Sequence, residues 1–223
     1  MRTIILAAGQ GTVLDGMVKC LIKHPGTGKT LLEHMLEAFS THAITVVVGY
    51  RAIEIMQHQP HLHYVYNREW ALTNSAYSLG LALTEEPCFV VSGDLFFCPS
   101  LIRQLEEMPG NVAVTTLREN RPLSAINCVM RNGRIEEAYM GHLRNAAHEE
   151  ALGLFKIVDP DLLRTWKDRC LKYGNMFAGM ALPFEEFFSP VTTLPLGREP
   201  FFEVNTVDDY LRLLEVGRGI CPY

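Results

Sequence analysis

The chain has 223 residues, of which 48% are hydrophobic and 20% are charged, and its formal net charge is −5. This composition is typical of a globular protein, and the length suits one large α/β domain, so we predict a single domain over residues 1–223. The negative charge argues against a general nucleic-acid binder, which normally presents a basic face. We expect no membrane partner, because no apolar run approaches the roughly 18 residues needed to span a bilayer.

The cysteine pattern and the amino terminus predict a cellular location. The short apolar run after Met1 lacks the pattern of a signal peptide. The chain has six cysteines, Cys20, Cys88, Cys98, Cys128, Cys170 and Cys221. No two of them form a C-x-x-C pair, and most lie in apolar surroundings. These features are typical of a reducing compartment, so we predict free thiols and a cytoplasmic protein.

The first half of the chain alternates strand patterns with helical patterns. Apolar runs predict strands over residues 3–7, 44–49, 62–66 and 88–94. Apolar residues at helical spacing predict helices over 30–40, 51–57, 74–83 and 99–107. Continuous apolar strands that alternate with helices predict a mostly parallel sheet with both faces covered.

The second half of the chain is richer in strands. We predict strands over 112–117, 126–131, 134–138, 152–158 and 201–204, with a hairpin turn from Arg131 to Arg134. Helices are predicted over 160–172, 175–187 and 206–216. Together the elements predict an α/β fold, a Rossmann-like α/β/α sandwich with a mostly parallel, mixed sheet.

The segment after the first strand suits an anionic ligand. Ala7, Ala8, Gly9 and Gly11 have small side chains or none, so main-chain N–H groups there can approach a bound anion closely. Lys19 follows as the one strong cation that can reach the same pocket. A buried strand, a loop with glycines and a lysine together predict a site for a nucleoside triphosphate.

Two other nucleotide-binding motifs do not fit this chain. A P-loop needs G-x-x-x-x-G-K followed by Ser or Thr, whereas Gly26 to Thr30 imitates only its last part and is typical of a hairpin-like turn. A dinucleotide-binding fingerprint needs a third glycine where this chain has Leu14. The opening loop therefore belongs to neither class.

Acidic and amide side chains follow two further strands of the predicted sheet. Asp94 follows the apolar strand at 88–92, and Glu203 and Asn205 lie at the end of the late strand. Ligands of such sheets bind at the carboxyl ends of the strands. Oxygen donors there suit Mg²⁺, which takes a few protein ligands together with substrate phosphates, so we predict Mg²⁺ as the cofactor. The alternative for Asp94 is a cap on the next segment.

An ordered set of motifs resembles the nucleotidyltransferases that activate small phosphorylated compounds. Leu6 to Gly11 with Lys19 to Leu21 resembles their pattern L-A-A/G-G-x-G-S/T-R followed by P-K-x-L. Later segments resemble further family motifs in order, namely Gly26 to Leu36, Val48 to Tyr50, Asn67 to Leu79, Ser92 to Asp94, Leu152 to Ile157 and Glu203 to Asp208. The segment from Asn67 to Leu79 is similar to the phosphocholine and phosphonate cytidylyltransferases rather than to the sugar-nucleotide enzymes. The resemblance implies a GT-A-like nucleotidyltransferase fold.

The resemblance also implies a reaction, the transfer of CMP from CTP to a small phosphonate or phosphocholine with release of pyrophosphate. Lys19 would be the catalytic residue, because it would neutralise charge on the α-phosphate. The implied metal ligands are Asp94, Glu203 and Asn205. The implied nucleotide contacts are Leu6, Ala7, Ala8, Gly9, Gly11, Asn74, Ser78 and Gly93. The expected acceptor contacts are Trp70, Glu150 and Lys156.

Structural roles compete with several of these assignments. Asn74 and Ser78 also fit the polar start of a helix. Trp70 can form part of an aromatic wall for a choline-like cation, although scattered aromatic residues more often belong to a core. Glu150 can neutralise an amine of the acceptor, and Lys156 can face the acceptor from the following strand.

Three departures from the family pattern leave other functions open. Val13 and Val18 replace the usual arginine and proline, and Asn205 replaces an aspartate, so a phosphate clamp is lost and one Mg²⁺ ligand is weaker. One alternative is a degenerate nucleotide-binding module. The short loop before Lys19 also fits a molybdopterin-guanylyltransferase, and a sugar-1-phosphate nucleotidylyltransferase is a further alternative. The oligomeric state stays open between a monomer and a homodimer.

Overall fold

The structure, a computed structural model, describes residues 1–197 and 201–216. Its strands are β1 Arg2–Ala7, β2 Ala43–Val48, β3 His63–Tyr66, β4 Cys88–Ser92, β5 Leu95–Phe97, β6 Asn111–Thr116, β7 Ile126–Arg131, β8 Arg134–Met140, β9 Glu149–Ile157, β10 Val191–Pro195 and β11 Phe201–Glu203. Its α-helices are α1 Leu31–Ala38, α2 Ala52–His58, α3 Ser75–Ala82, α4 Pro99–Glu107, α5 Pro160–Lys172, α6 Ala178–Ala181 and α7 Val207–Val216. Two 3₁₀ helices, Thr12–Leu14 and Lys19–Leu21, lie between β1 and α1.

The central sheet has the strand order β10-β6-β9-β4-β1-β2-β3, and the β7–β8 hairpin joins it through β9. The pairs β1/β2, β1/β4, β2/β3 and β6/β10 are parallel, whereas β9 runs antiparallel to β4 and β6. The predicted α/β fold with a mostly parallel, mixed sheet is confirmed. Because β4 and β6 both run opposite to β9, the carboxyl ends of β1, β4 and β6 meet at one edge of the sheet.

The sheet is buried on both faces, which explains the continuous apolar strands. On one face α1 and α4 pack their apolar sides against β1, β2 and β4, through Leu31, Leu32, Met35, Leu101, Ile102 and Leu105. On the other face α3 and α5 pack against the sheet, with Trp166 fully buried among their side chains. Burial of this apolar area is the main stabilising contribution to the fold.

A short antiparallel ribbon carries two of the predicted site segments. Strand β5 begins directly after Asp94, and β11 pairs with it so that Glu203 lies opposite Leu95. The apolar residues of the ribbon pack into the core on the face of the sheet covered by α1 and α4. Phe96 is buried there and contacts Phe202. The ribbon therefore brings residues 94 and 203–205 together at the sheet edge, although they are far apart in the chain.

Several local predictions are confirmed, and the reasons lie in turn and cap chemistry. Asn132 and Gly133 both have positive φ, 52° and 75°, as a tight hairpin between β7 and β8 requires. The Gly26 to Thr30 segment is a turn closed by a bridge between Lys23 and Thr30. Thr30 then starts α1 with a capping box, in which its side chain accepts from the backbone N–H of Glu33 and the Glu33 carboxylate accepts from the Thr30 N–H.

The carboxyl-terminal third differs most from the prediction. A helix was predicted over 175–187, but only Ala178–Ala181 is helical, because Pro183 cannot continue a helix and the segment before Ala178 is hydrogen-bonded to the start of α3. The carbonyls of Gly174 and Met176 accept from the N–H groups of Asn74 at 2.8 Å and Ala76 at 3.1 Å. Strands β5 and β10 were not predicted, since β5 has only three residues and β10 is a polar edge strand ending in Pro195.

The cysteines also depart from the prediction. Cys20, Cys88, Cys128 and Cys170 are free and buried, as expected. Cys98 is disulfide-bonded, so the prediction of free thiols is wrong for this residue; Cys221 lies outside the described residues. Within residues 1–197 and 201–216, no helix is both long and apolar enough to cross a membrane.

Candidate active site

A cleft of about 260 Å³ opens at the carboxyl edge of the sheet. We call it the main cleft. Its lining comprises Leu6, Ala7, Ala8, Gly9, Gln10, Val18, Lys19, Cys20, Trp70, Thr73, Asn74, Ser75, Ser78, Ser92, Gly93, Asp94, Phe177, Glu203 and Asn205. Most of the residues predicted for the nucleotide and the metal therefore lie in one cavity.

The turn after β1 forms the floor of the main cleft. The carbonyl of Ala8 accepts a hydrogen bond from the Tyr50 N–H at 2.9 Å, and the carbonyl of Leu6 accepts one from the Gly93 N–H at 2.9 Å. These bonds join the ends of β1, β2 and β4. The space around Gly9 is open, and a Cβ at this position would have no atom within 4 Å. A ligand can therefore approach the backbone here closely.

Gly11, a predicted nucleotide contact, lies outside the lining of the main cleft. A Cβ at this position would lie 2.8 Å from the Met17 carbonyl oxygen and 3.3 Å from Cγ of Lys19. Its own carbonyl accepts the N–H groups of Leu14 and Gly16. Gly11 thus permits the tight loop that carries the chain to Lys19, and its contact with a nucleotide stays a prediction.

The ammonium group of Lys19 lies between two of the predicted metal ligands. Its Nζ donates to Oδ2 of Asp94 at 2.8 Å and to Oδ1 of Asn205 at 2.5 Å. The side chains of Lys19 and Asp94 are 23% and 18% exposed, so the pair faces the cleft while remaining largely shielded. Carboxylate and amide oxygens are also among the ligands that Mg²⁺ accepts.

The backbone fixes this arrangement. The Val204 N–H donates to the Asp94 carbonyl at 3.0 Å, which continues the β5–β11 ribbon to its end. Oδ2 of Asp209 then accepts from the N–H groups of Asn205 at 3.1 Å and Thr206 at 2.8 Å, at the start of α7. Asp209 was not predicted as a site residue, although it lies in the segment with the last family motif. It holds Asn205 through the cap of a helix.

Glu203 completes the set of oxygen donors in the main cleft. Withdrawal from water and the neighbouring charge of Asp94 raise the pKa of Glu203 from 4.5 to about 7. The residue nevertheless keeps an exposed face. Within the described residues no group of three His, Cys, Asp or Glu side chains could hold a metal ion, since the third donor here is an amide.

The Asn67–Leu79 segment forms one wall of the main cleft around a buried asparagine. Nδ2 of Asn67 donates to Oγ1 of Thr73 at 3.1 Å and to Oγ of Ser78 at 3.0 Å. Asn74 is the N-cap of α3, where its side chain accepts from the Ser75 N–H, and it also lines the cleft. Trp70 packs edge-to-face on Tyr50, with ring centroids 5.1 Å apart. Asn67 was not predicted as a site residue; its burial shows that it orders this wall.

A second cavity of about 200 Å³ adjoins the main cleft. The two share a boundary formed by Leu6, Ser75, Ser92, Phe177, Glu203 and Asn205. The second cavity extends toward the β7–β9 side and is lined there by Pro122, Ser124, Ala125, Ile126, Glu150, Ala151, Leu152, Gly153 and Phe155. Of these residues only Glu150 was predicted. Phe177 and Ser124 lie in segments that carry no motif.

Glu150 lines the second cavity, and its carboxylate is already paired with arginine side chains. Its carboxylate is 4% exposed and forms a bidentate pair with Arg118, with Nε and Nη2 at 2.5 and 2.6 Å from its oxygens. Nε of Arg121 lies 3.8 Å from the same carboxylate. The hydrogen bonds to Glu150 raise the pKa of Arg118. An acceptor amine would have to compete with both guanidinium groups for this carboxylate.

Of the other two predicted acceptor contacts, Lys156 lies in neither cavity, and Trp70 lines the main cleft but not the second cavity. Nζ of Lys156 is buried and donates to the carbonyls of Leu105, Glu106 and Met108, at 2.8, 3.2 and 2.5 Å. It thus caps the end of α4 at the opposite end of β9. Trp70 belongs to the main cleft, beside the predicted nucleotide contacts.

Comparisons with known proteins agree with this architecture. The chain is 27% identical over 177 residues to CMP-5'-(3-aminopropyl)phosphonate synthase of Streptomyces rubellomurinus, and the match covers 74% of this chain but only 28% of that protein. The structure of CTP:phosphocholine cytidylyltransferase from Streptococcus pneumoniae matches with a TM-score of 0.77 at 20% identity, over 96% of this chain and 98% of that one. The inositol-1-phosphate CTP transferase from T. maritima matches with a TM-score of 0.72 at 18% identity, over 99% and 98%.

A family match covers most of the sheet and the glycine-containing turn. The sequence profile of the MobA-like NTP transferase domain matches residues 3–169. This range includes β1 to β9, Lys19 and Asp94, whereas Glu203 and Asn205 lie beyond it. The chain therefore belongs to the family of MobA-like NTP transferase domains.

Proposed function

We propose that the protein is a cytidylyltransferase that transfers CMP from CTP to a small phosphonate or to phosphocholine and releases pyrophosphate. The observation that carries the proposal is the Lys19 ammonium between Asp94 and Asn205, at the boundary of two adjoining cavities. One cavity is available for each substrate, and the cation and the oxygen donors lie where the substrates would meet. The 27% identity to a CMP-aminopropylphosphonate synthase supports the choice of base and acceptor.

The residues of the main cleft suit the nucleotide. Backbone N–H groups after β1 would contact the phosphates, and Lys19 would leave its partners to neutralise charge on the α-phosphate. Asn74, Ser78 and Trp70 would lie along the nucleoside, together with Leu6, Ala7, Ala8 and Gly93. Positioning and electrostatic stabilisation would supply most of the rate enhancement.

The oxygen donors of Asp94, Glu203 and Asn205 fit Mg²⁺, because it prefers hard oxygen ligands and completes its shell with phosphates and water. When bound, Mg²⁺ would reduce the charge on the α-phosphate and on the departing pyrophosphate. Asp94 would contribute a full negative charge to this site. Asn205 contributes a neutral oxygen, which is a weaker ligand.

The reaction needs no general base. An anionic oxygen of the acceptor attacks the α-phosphorus and forms a new P–O bond. The bond from the α-phosphorus to the bridging oxygen breaks, and pyrophosphate leaves with that electron pair. Since the nucleophile is already charged, the protein has to hold two anions close together, which requires cations on both sides of the reacting atoms.

The second cavity favours a phosphonate over phosphocholine as the acceptor. Phe155 and Phe177 are the only aromatic residues among its described lining residues, and Phe155 is buried and packed edge-to-face on Trp166. A choline-like cation is normally held over several aromatic faces, which this cavity does not offer. Its volume of about 200 Å³ also suits a small acceptor better than a sugar phosphate.

A screen for pyrophosphate release tests the proposal. The four nucleoside triphosphates are each combined with 2-aminoethylphosphonate, 2-hydroxyethylphosphonate, phosphocholine, inositol 1-phosphate, glucose 1-phosphate and molybdopterin. We expect the highest kcat/KM for CTP with a phosphonate. A higher value for a sugar phosphate contradicts the proposal, as does one for GTP with a molybdopterin, the reaction that the family match keeps as the second candidate. Nucleotide binding without pyrophosphate release would indicate a degenerate module.

A further inference from the structure

Glu150 lines the second cavity, and its ion-pair partner Arg118, which also feels the charge of Glu203, has no role yet in the proposed reaction. Arg118 follows β6 by two residues, and Glu150 lies near the start of β9, which runs opposite to β6. Both residues therefore lie at the sheet edge that also carries Lys19 and Asp94. Glu150 lines the same cavity as Glu203 and Asn205, which places the ion pair on the acceptor side of the reacting atoms.

The charges around Glu150 favour an anion. Glu150 contributes one negative charge, whereas Arg118 and Arg121 contribute two positive charges in contact with it. Arg121 is further fixed by the Asn127 side chain and the His148 carbonyl, to which its Nη1 and Nη2 donate. A carboxylate that already faces two guanidinium groups is a poor site for a third cation.

Arg118 keeps donors for a further partner. Its Nε and Nη2 are bonded to Glu150, whereas no hydrogen bond within the described residues uses its Nη1. The side chain is 45% exposed, so this edge of the guanidinium is accessible. Nε of Arg121 donates to the Arg118 carbonyl at 2.6 Å and so holds the backbone as well. The side chain is thus oriented at both ends before any ligand arrives.

The need for such a cation follows from the departures in the chain. Val13 replaces the arginine that would clamp phosphate near the glycine loop, and Val13 is 64% exposed. Lys19 is the only lysine or arginine among the described residues that line the two cavities, and it lines the main cleft alone. Guanidinium groups bind phosphate and phosphonate oxygens with paired, charge-assisted hydrogen bonds. Arg118 is a half-exposed cation bonded to Glu150, on the side of the second cavity.

We propose that Arg118 binds the phosphonate or phosphate group of the acceptor, and that Glu150 positions Arg118 instead of binding an acceptor amine. This inference rests on the proposed function and assigns the acceptor side of the same site. Arg118 is then a substrate-binding residue, and Glu150 is a positioning residue that acts through it.

Steady-state kinetics with two acceptors test the assignment. KM and kcat are measured for CTP, 2-aminoethylphosphonate and 2-hydroxyethylphosphonate in the wild type, Arg118→Gln and Glu150→Gln. Arg131→Gln is the control, since Arg131 forms an exposed ion pair with Glu136 outside both cavities. We expect Arg118→Gln to raise KM for both acceptors about tenfold or more, because a charge-assisted hydrogen bond is lost, while KM for CTP changes by less than about twofold.

The comparison of amine and hydroxyl separates the two roles of Glu150. If Glu150 positions Arg118, Glu150→Gln raises KM for both acceptors by a similar factor, smaller than that of Arg118→Gln. An increase confined to 2-aminoethylphosphonate would overturn the assignment and restore an amine site. Unchanged acceptor KM values in Arg118→Gln, or an equal increase in the KM of CTP, would also overturn it.

Two further measurements keep the test decisive. Arg118→Lys keeps the charge but lacks the planar guanidinium with its paired donors, so its acceptor KM should lie between those of the wild type and Arg118→Gln. If Arg118→Gln does not fold, a wild-type acceptor KM in Arg118→Lys overturns the proposal. Calorimetry of acceptor binding, with a non-hydrolysable CTP analogue bound, should show the same order of affinities. If the wild type releases no pyrophosphate with CTP and either acceptor, the proposed function itself fails. If the wild type is active but the Arg118 substitutions leave the acceptor KM unchanged, only the assignment of Arg118 fails.

Discussion

The main cleft and the second cavity adjoin each other but depend on the sequence in different ways. The main cleft takes most of its polar residues from the ends of β1, β4 and β11 and from the wall that begins at Asn67. The second cavity is built by the loop after β6, the start of β9 and the short helix α6. Most residues of the first group lie in compact sequence motifs. Those of the second, apart from the boundary shared with the main cleft, come from separate segments, of which only Leu152 to Ile157 matches a motif.

This contrast corresponds to a difference in chemistry. A triphosphate needs backbone N–H groups, a lysine and oxygen donors for a cation, which are the same for any acceptor. An acceptor cavity must suit one small molecule, so its shape and charge pattern vary with the substrate. We therefore expect variants in the main cleft to impair turnover with every acceptor, and variants in the second cavity to change the preference among acceptors.

Lys19→Ala should have the largest effect on the main cleft. Among the described residues Lys19 is the only lysine that lines it, and a preorganised contact to a transition-state charge is typically worth on the order of a hundredfold or more. We expect kcat to fall by at least this factor with all acceptors while the fold is kept, as circular dichroism can verify. Lys23→Ala is the matched control, because Lys23 is an exposed lysine near the same loop. Near-normal turnover of Lys19→Ala would exclude the catalytic role.

Asp94→Asn should cause a loss of similar or slightly smaller size. The substitution keeps the shape of the side chain but removes the carboxylate charge that contacts Lys19, and it leaves two amides beside Glu203. We expect pyrophosphate release to fall about a hundredfold at fixed Mg²⁺ and to recover in part at higher Mg²⁺. The control is the wild type with EDTA. A wild-type rate that EDTA does not change would refute the metal role of this acid.

The same contrast explains how much the sequence could predict. The strand ends at Gly9, Asp94 and Glu203 were predictable because a parallel sheet gathers its carboxyl ends at one edge, whatever the details of the loops. The ion pair of Glu150 with Arg118 was not predicted, since this pairing depends on the register of β9 against β6. Lys156 was misplaced because successive residues of a strand point to opposite faces, and one end of β9 lies far from the site.

Gly153→Ala should change the second cavity selectively, with a moderate effect. Gly153 has a φ of +71° within β9, and a Cβ there would lie 2.7 Å from Oγ of Ser92, which lines both cavities. We expect acceptor KM to rise about tenfold and stability to fall by about 1 kcal/mol from backbone strain. Gly28→Ala is a matched control, since Gly28 has a φ of +72° and no atom within 4 Å of a Cβ. Gly28→Ala should lower the free energy of unfolding but leave the acceptor KM unchanged. Equal acceptor KM values in the two variants would refute the contact.

The pH dependence should reveal Glu203, with an effect of several fold. The pKa of Glu203 is raised to about 7 by withdrawal from water and by Asp94, so the proton is retained at pH values where an ordinary glutamate has lost it. Only the deprotonated carboxylate is a good Mg²⁺ ligand. The Mg²⁺ concentration at half-maximal rate should therefore fall as pH rises from about 6 to about 8, and Glu203→Gln should flatten this profile. A profile that is the same in both proteins would remove Glu203 from the metal site.

Lys156→Met should have the smallest effect on catalysis and a clear effect on stability. The ammonium of Lys156 satisfies three carbonyls at the end of α4, and methionine has a similar length without any donor. Buried carbonyls that lose their partner typically cost about 1–3 kcal/mol, so the melting temperature should fall by several degrees. The KM values for CTP and both phosphonates should stay within about twofold of the wild type, because Lys156 lies in neither cavity. A selective increase in acceptor KM without loss of stability would return Lys156 to the acceptor site and contradict the division between the two regions.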